Sequence, residues 1–183
     1  KKRCEWAKDE PNTTYHDDEW GVPLHDDVGL FEFLILEGAQ AGLSWRTILN
    51  RRDGYRIAFS NFDVVAVSKY TQNHVKKLLQ NKDIIRNKLK INSAINNAKQ
   101  FVKIQQEFGS FDEYLWGFVN HKPIKNKFKK HSDLACSSII SEKLSQDLKK
   151  HGFTFVGPII CYSLMQAVGM VNDHTSDCYK YLK

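Results

Sequence analysis

The chain has 183 residues, of which 42% are hydrophobic and 26% charged, and it carries a formal net charge of +6. This balance is ordinary for a soluble globular protein of one domain, or of two lobes sharing one core. The longest apolar stretch, VGPIICYSLMQAVGMV, is too short and too polar to span a bilayer, and no apolar segment follows the basic start KKRCEW. We therefore expect a cytoplasmic protein. Its positive charge favours nucleic acid above all, or an anionic membrane surface, as partner.

Aromatic side chains are dense in the first 45 residues, where Trp6, Tyr15, Trp20 and Trp45 occur. Such residues often belong to the core. They also build cages that stack on a flat or cationic ligand. The sequence leaves both interpretations open.

The first strong helix signal is HDDVGLFEFLILEGAQAG, with Asp26 or Asp27 as N-cap and an end near Gly42. Glu37 lies at the apolar C-terminal end of this helix, where the dipole and burial both disfavour a charged carboxylate. Such a residue either points to solvent or pairs with an arginine. The alternative is a carboxylate held in a pocket to meet a cation or a polar ligand.

Further helices follow with recognisable caps. Ser44 can cap WRTILNRR, Thr71 can cap QNHVKKLLQ, and Ser110 with Glu113 forms a capping-box pattern. Between them, the stretch from residue 83 closes at Gly109 and has apolar residues at helical spacing, namely Ile84, Ile91, Ile95, Ala98 and Val102. Convincing strand alternation is absent, so the sequence predicts an all-α architecture.

Residues 121–133, HKPIKNKFKKHSD, are polar and basic and indicate an exposed loop long enough to suspect a function. Cys136 follows this loop and gives no signal. Cys161 lies in an apolar helical stretch and is expected in the core. Disulfide bonds are not expected in a cytoplasmic protein.

The stretch LKKHGFTFVGPIICYSLMQA predicts a helix, a short turn and a second helix. Gly152 suits a position that needs positive φ, and Pro158 suits the first position of the next helix. The second helix then presents free N–H groups and the positive end of its dipole, which bind a phosphate oxygen without reading sequence. A tight helix pair without any ligand is the alternative.

Both chain ends offer a thiol and an imidazole, namely Cys4 with His16 and His174 with Cys178. Two thiolates and two imidazoles form the closed tetrahedral set of a structural zinc site. Four unrelated ordinary residues are the alternative. A real site would tie down the termini, which are otherwise the most mobile parts of a domain. Asp173, beside His174, is expected to orient a ligand as a hydrogen-bond acceptor.

Taken together, these stretches resemble the DNA-3-methyladenine glycosylase I family. The resemblance covers essentially residues 1–183 and is carried by RCEWA, YHDDEWGVP, FEFLILEGAQAGLSW, IIRNKLKINSAINNA, WGFVNHKP, GFTFVGPIICYSLMQAVGMVNDH and Cys178. It implies an all-α domain of two helical lobes, with a helix-hairpin-helix motif near residues 141–169 and one structural zinc ion joining the termini. The segment KPIKNKFKKHSD is divergent, so the resemblance implies no role for it.

The resemblance also implies an activity, the hydrolysis of the N-glycosidic bond of 3-methyladenine in alkylated double-stranded DNA by base flipping. The enzyme would be a monomer, would release free 3-methyladenine and would have no lyase activity. The implied zinc ligands are Cys4, His16, His174 and Cys178. The implied base pocket consists of the catalytic Glu37 with Tyr15, Trp20 and Trp45. The implied DNA-binding hairpin contributes Gly152, Phe153, Val156 and Gly157.

Two residues keep open roles. Leu43 is a candidate apolar wedge that fills the gap left by a flipped base, or an ordinary loop residue. Asp173 stands near the place where relatives in the superfamily carry a catalytic Asp, yet it adjoins a zinc ligand, so we interpret it as structural or secondary. The alternatives to a glycosylase are a non-catalytic zinc-containing DNA-binding module and a binder of small cationic molecules.

Overall fold

The computed structural model describes residues 1–181, which form ten α-helices and one pair of very short strands. The helices are α1 (Asn12–Asp18), α2 (Asp27–Gln40), α3 (Trp45–Leu49), α4 (Arg52–Ala58), α5 (Val64–Ser68), α6 (Gln72–Gln80), α7 (Lys88–Phe108), α8 (Phe111–Gly117), α9 (Ile139–Lys150) and α10 (Pro158–Ala167). The strands are β1 (Ile124–Lys125) and β2 (Val171–Asn172). No helix in residues 1–181 is long and apolar enough to cross a membrane.

Helix α2 runs through the centre of the core because its sequence is apolar on nearly every side. Asp26 caps its start, where the carboxylate accepts a hydrogen bond from the Gly29 amide at 2.8 Å. At its other end Lys90 of α7 donates from Nζ to the carbonyl oxygens of Ala39, at 2.9 Å, and Ala41, at 2.6 Å. Carbonyl groups at the end of a helix lack intrahelical hydrogen-bond partners, and the Lys90 ammonium supplies them. Its positive charge also interacts favourably with the negative end of the helix dipole.

The predicted caps and the all-α class are confirmed. Ser44, Thr71 and Ser110 stand at the N-caps of α3, α6 and α8, and Gly109 ends α7 with φ of 88°. The buried residues of the described chain form one continuous hydrophobic core, as a single domain requires. The division into two lobes stays a prediction.

Helix α7 begins later than the apolar spacing indicates. Asn87 caps it by accepting a hydrogen bond from the Lys90 amide at 3.1 Å, so Ile84 lies before the helix. Ile84 is nonetheless buried, because the segment is held against α4, where the Tyr55 hydroxyl accepts from the Ile85 amide at 3.2 Å. The apolar spacing therefore correctly indicated that Ile84 is buried but wrongly placed it in the helix.

The strand pair is a feature that the sequence did not predict. β1 and β2 pair in parallel, with Ile124 opposite Val171 and Lys125 opposite Asn172. Two residues are too few to show an alternating pattern in the sequence. The pairing attaches the basic segment 121–133 to the chain that leads to His174.

Candidate active site and metal centre

A cavity of about 680 Å³ opens between α1, α2, α3, α10 and the segment after β1. It brings together the four residues predicted to bind a base, Tyr15, Trp20, Glu37 and Trp45. The other side chains that line it include Trp6, Asn12, Gln40, Tyr162, Ser163 and Gln166. A concave, mostly apolar cavity with a few polar groups is the usual form of a small-molecule or base site.

Glu37 is only 4% exposed, which rules out the interpretation that it points to bulk solvent. Within residues 1–181 its carboxyl group makes no ion pair or hydrogen bond, so the arginine alternative is also wrong. Burial raises the pKa of Glu37 to about 8. A buried acid without a protein partner is free to interact with a polar or cationic ligand that enters the cavity.

The sequence left open whether the aromatic side chains belong to the core or form a cage for a ligand. In the structure they do both, because they pack in the core and also line the cavity. Tyr15 and Trp20 are buried, and the Tyr15 ring lies 5.3 Å from that of Trp45 and 6.2 Å from that of Trp6, centroid to centroid. Burial, with the nearby Glu37 carboxylate second, raises the pKa of Tyr15 well above its usual value. Its hydroxyl therefore stays protonated and can donate a hydrogen bond.

Three parts of the chain surround the cavity. The loop between α2 and α3 holds Leu43, whose side chain is 40% exposed and follows Gly42 at φ of 78°. The first turn of α10 contributes Ile159, and the segment that begins at His131 contributes further lining residues. Ser44, the residue after Leu43, lines the cavity, whereas Leu43 itself does not, so its role as a wedge stays a prediction.

The turn between α9 and α10 has the form predicted for a hairpin. Gly152 has φ of 84°, and Pro158 is the first residue of α10. The side chains of Phe153 and Val156 are only 3% and 1% exposed, because they pack into the core. Any contact that these two residues make with DNA goes through their backbone.

The hairpin is held from behind by a polar clamp that sequence reasoning missed. Asn97 of α7 accepts from the Thr154 amide through Oδ1 at 2.9 Å and donates from Nδ2 to the Thr154 carbonyl at 2.9 Å. Asn96 donates to the Gly152 carbonyl at 2.8 Å, and Ser93 accepts from the Thr154 hydroxyl at 2.8 Å. The stretch INSAINNA carried the signal, since polar residues recur on a helix face that is otherwise apolar.

The four predicted metal ligands, Cys4, His16, His174 and Cys178, come together in the structure. Their ligand atoms all lie within 4.8 Å of one another, and all four side chains are buried. His16 Nε2 is 3.4 Å from Cys178 Sγ, and His174 Nδ1 is 3.6 Å from Cys4 Sγ. A tetrahedral ion bonded at the usual zinc distances holds neighbouring N and S ligands about 3.5 Å apart, so the residues fit a metal ion.

The outer nitrogen of each histidine is fixed in the way that metal ligation needs. His16 donates from Nδ1 to Asp17 Oδ1 at 2.8 Å, and His174 donates from Nε2 to the Trp20 carbonyl at 3.0 Å. Burial lowers the pKa of His174 to about 4, and that of His16 is lowered for the same reason. Both rings are therefore neutral at pH 7, the form that binds a metal.

The role predicted for Asp173 as an orienting acceptor for a ligand is wrong. Its carboxylate is fully buried and accepts from Asn126 Nδ2 at 2.7 Å, the Tyr162 hydroxyl at 2.6 Å and Gln166 Nε2 at 2.9 Å. None of these partners is a candidate metal ligand. Because Tyr162 and Gln166 line the cavity, Asp173 instead braces the cavity wall.

The comparisons with known proteins agree with this geometry. The profile of the methyladenine glycosylase family matches residues 6–181. The chain is 45% identical over 181 residues to DNA-3-methyladenine glycosylase 1 of Escherichia coli K12, which covers 98% of this chain and 97% of that protein. It is 41% identical over 177 residues to the DNA-3-methyladenine glycosylase of Haemophilus influenzae, with 96% of each chain covered.

Solved structures give the same answer. A crystal structure of 3-methyladenine DNA glycosylase I superposes with a TM-score of 0.95 at 43% identity and covers 97% of this chain and 98% of its own. The Staphylococcus aureus enzyme, studied for recognition of 3-methyladenine, superposes with a TM-score of 0.95 at 36% identity, covering 99% of this chain and 97% of its own. Fold and cavity define a helical protein whose aromatic-lined pocket holds a buried acid. The chain belongs to the methyladenine glycosylase family.

Proposed function

We propose that the chain is a DNA-3-methyladenine glycosylase that hydrolyses the N-glycosidic bond of the methylated base in alkylated double-stranded DNA. The observation that carries the proposal is the unpaired, buried Glu37 facing a cavity lined by Tyr15, Trp20 and Trp45. The relatives at 41% and 45% identity bear the same activity in their names. The relatives are bacterial, and we propose the cytoplasm as the compartment and a monomer as the working unit.

Selectivity follows from charge. Methylation at N3 makes the purine cationic, and a nearby cation lowers the pKa of Glu37 from about 8, so the carboxyl ionises when the base enters. Each aromatic ring face adds about 0.5–2 kcal/mol of cation–π attraction. Neutral adenine gains neither contribution and leaves a buried acid without a favourable partner. The pocket therefore prefers the alkylated base.

The chemical step needs little help from an acid. The bond between the base nitrogen N9 and the sugar carbon C1′ breaks, and its electron pair leaves with the base. The base departs neutral, and the positive charge passes to the sugar as an oxocarbenium ion. A water oxygen then bonds to C1′ and releases a proton to solvent. No lysine is among the described residues that line the cavity, so no side-chain amine is placed to attack C1′. We therefore propose a monofunctional enzyme without lyase activity.

Reaching the base requires that it leave the duplex, at a cost of a few kcal/mol. We propose that Leu43 occupies the gap and that the backbone of Gly152 to Gly157, with the free amides of the first turn of α10, holds a phosphate. Ile159 of that turn lines the cavity, which supports the hairpin as the element beside the flipped nucleotide. The phosphate contact positions the DNA but does not read its sequence.

We propose zinc as the ion held by Cys4, His16, His174 and Cys178. A set of two thiolates and two imidazoles with no ligand position left open suits a structural ion. The ion supplies no chemistry to the cavity when it is bound. It joins the two chain ends and fixes Trp20, whose carbonyl accepts the hydrogen bond from His174.

The test is base release from a methylated duplex, followed by chromatography, with wild type and Glu37→Gln side by side. We expect free 3-methyladenine with the wild type and much less with the variant. A folded wild type that binds DNA but releases no base would support the non-catalytic DNA-binding module instead. Release of 3-methyladenine together with strand cleavage at the abasic site would contradict the monofunctional assignment.

A further inference from the structure

Residues 122–130, which we call the lysine strap, include strand β1, and from residue 124 to residue 129 the side chains alternate between two environments. Lys125, Lys127 and Lys129 are exposed, while Ile124, Asn126 and Phe128 between them are half-buried. Lys122 and Lys130 are also exposed, so the strap presents five lysines. The only acidic residue within residues 121–137 is Asp133. The alternation resembles that of a strand with one face on the protein and one face in solvent.

The strap is anchored along its length, so its lysines are displayed from a fixed backbone. Ile124 and Asn126 donate from their amides to the carbonyls of Met170, at 2.9 Å, and Asn172, at 3.1 Å. The Phe128 carbonyl accepts from the Ser176 amide at 2.7 Å. Asn126 also donates from its side chain to Asp173, as described above. Lys125 is partly engaged, with Nζ 4.5 Å from the centre of the Tyr181 ring.

The strap leads directly into the cavity wall. His131 and Ser132, which follow Lys130, line the cavity that holds Glu37, as does Ile159 of the first turn of α10. A nucleotide that enters the cavity must leave its flanking phosphates outside the rim. Phosphates at the part of the rim formed by His131 and Ser132 then lie close to the end of the strap.

We propose that the lysine strap is a second DNA-binding surface, which holds the phosphate backbone at the part of the cavity rim formed by His131 and Ser132. Alternate residues of an extended chain, such as Lys127 and Lys129, lie about 6.6–6.8 Å apart. That spacing spans about two phosphates, because each DNA strand carries one charge per about 3.4 Å of axis. Lys127 and Lys129 can therefore each reach a phosphate of one strand, and Lys130 continues the positive surface towards the rim. The inference rests on the proposed function for its partner, and its test uses undamaged duplex so that the two can fail separately.

The experiment compares two triple variants of the full chain with equal charge change. The strap variant is Lys127→Gln, Lys129→Gln and Lys130→Gln. The control is Lys69→Gln, Lys76→Gln and Lys77→Gln, which removes three exposed lysines from the end of α5 and from α6, away from the cavity lining. Binding to an undamaged duplex is measured across a range of salt concentrations, and calorimetric binding of free 3-methyladenine checks that the pocket is intact.

We expect the slope of log affinity against log salt to become shallower by about 2–3 in the strap variant, because each phosphate contact contributes about 0.9. The control should change the slope by less than one contact is worth. Equal changes in both variants would assign the effect to overall charge and overturn the proposal, as would an unchanged slope in the strap variant. A wild type that binds duplex but releases no base refutes the enzyme activity and leaves this comparison valid.

Discussion

A carboxyl group whose pKa is about 8 changes charge within the range in which enzymes are assayed, and Glu37 is such a group in the empty cavity. The ionised form is the one that attracts a cationic base. We expect kcat/KM for 3-methyladenine release to rise as pH increases up to about 8 and then to level, because kcat/KM reports the free enzyme. The same profile measured with Glu37→Gln should lack this rise.

The size of the Glu37→Gln effect follows from the interaction that is lost. The variant keeps the shape and one acceptor but loses the charge-assisted contact, which is worth about 1.5–3 kcal/mol. We expect kcat/KM to fall about 10- to 100-fold, measured by single-turnover release. The control is Glu113→Gln, which makes the same chemical change at an exposed carboxylate on α8 that does not line the cavity. This variant should release the base as fast as the wild type. Equal activity of Glu37→Gln and Glu113→Gln would contradict the role of the charge.

Burial of the Glu37 carboxyl group also makes the stability of the folded protein depend on pH. Because the folded state raises the pKa of Glu37, the folded protein holds its proton more tightly than the unfolded chain. The contribution of Glu37 to stability is therefore fully present below its ordinary pKa and is lost as pH rises through about 8. We expect Glu37→Gln to raise Tm by several degrees at pH 8.5, since about 2–4 °C corresponds to 1 kcal/mol at this chain length. At pH 4 the two proteins should melt together, and a lower Tm of the variant at pH 8.5 would oppose the prediction.

At the scale of elements, the hairpin depends on helix α7, which holds it through Asn97. Asn97 pairs with both backbone groups of Thr154, so the turn is held in one conformation before DNA arrives. Rigid placement of the phosphate-binding amides reduces the ordering that binding would otherwise require. Asn97 is in this sense a positioning residue, which acts on DNA through the hairpin.

We expect Asn97→Ala to raise KM for the methylated duplex about tenfold, the magnitude of roughly one lost hydrogen bond. The value of kcat and the affinity for free 3-methyladenine should stay near wild type, because the cavity does not include Asn97. Asn92→Ala is the matched control, since Asn92 lies on the same helix and takes no part in the clamp. A loss confined to Tm, with KM unchanged, would show that the clamp is only structural.

The sequence predicted those elements whose signal is local. The caps at Asp26, Ser44 and Ser110 each depend on one side chain and one amide three residues away, so they were readable. The partners of Asp173 come from residues 47, 11 and 7 positions away, and no local pattern specifies them. The strand pair β1–β2 was missed for the same reason, since its pairing joins segments that are distant in the chain.

The candidate site shows the same division. The identities of Glu37, the aromatic residues and the four metal ligands were visible, but their convergence was expected only through the family resemblance. The polar groups that hold them were not expected. Asp17 orients His16 from the adjacent position, and Trp20 accepts from His174 through its carbonyl, a group that every residue carries. Side-chain type cannot identify a contact made by the backbone.

At the scale of the whole molecule, the metal cluster joins the two ends of the chain to the cavity. The rings of His16 and His174 are in contact, with centroids 4.7 Å apart, and His174 lies against Trp20 at 4.7 Å. Burial raises the pKa of the Cys4 thiol to about 11 and lowers the pKa values of His16 and His174, so these three groups are neutral at pH 7 without an ion. A bound cation lets the thiolates form and turns the cluster into a link between residues 170 positions apart.

The consequence is that metal content should govern stability more than chemistry. We expect Cys178→Ser to bind much less than one zinc ion per chain by elemental analysis and to lower Tm by about 10 °C or more, because structural zinc contributes folding energy directly. A chelator should lower the Tm of the wild type in the same way and have little effect on the variant. Cys136→Ser is the matched control for metal content and Tm, because Cys136 is exposed and outside the cluster, and it should keep its metal. Cys136 lines the cavity, so this variant does not serve as a control for activity. Activity per folded molecule of Cys178→Ser should fall far less than Tm suggests, since the cluster contacts the cavity only indirectly, through the rings of Trp20 and Trp6. If Cys178→Ser lost its activity while its Tm stayed unchanged, the ion would have a catalytic role and not a structural one.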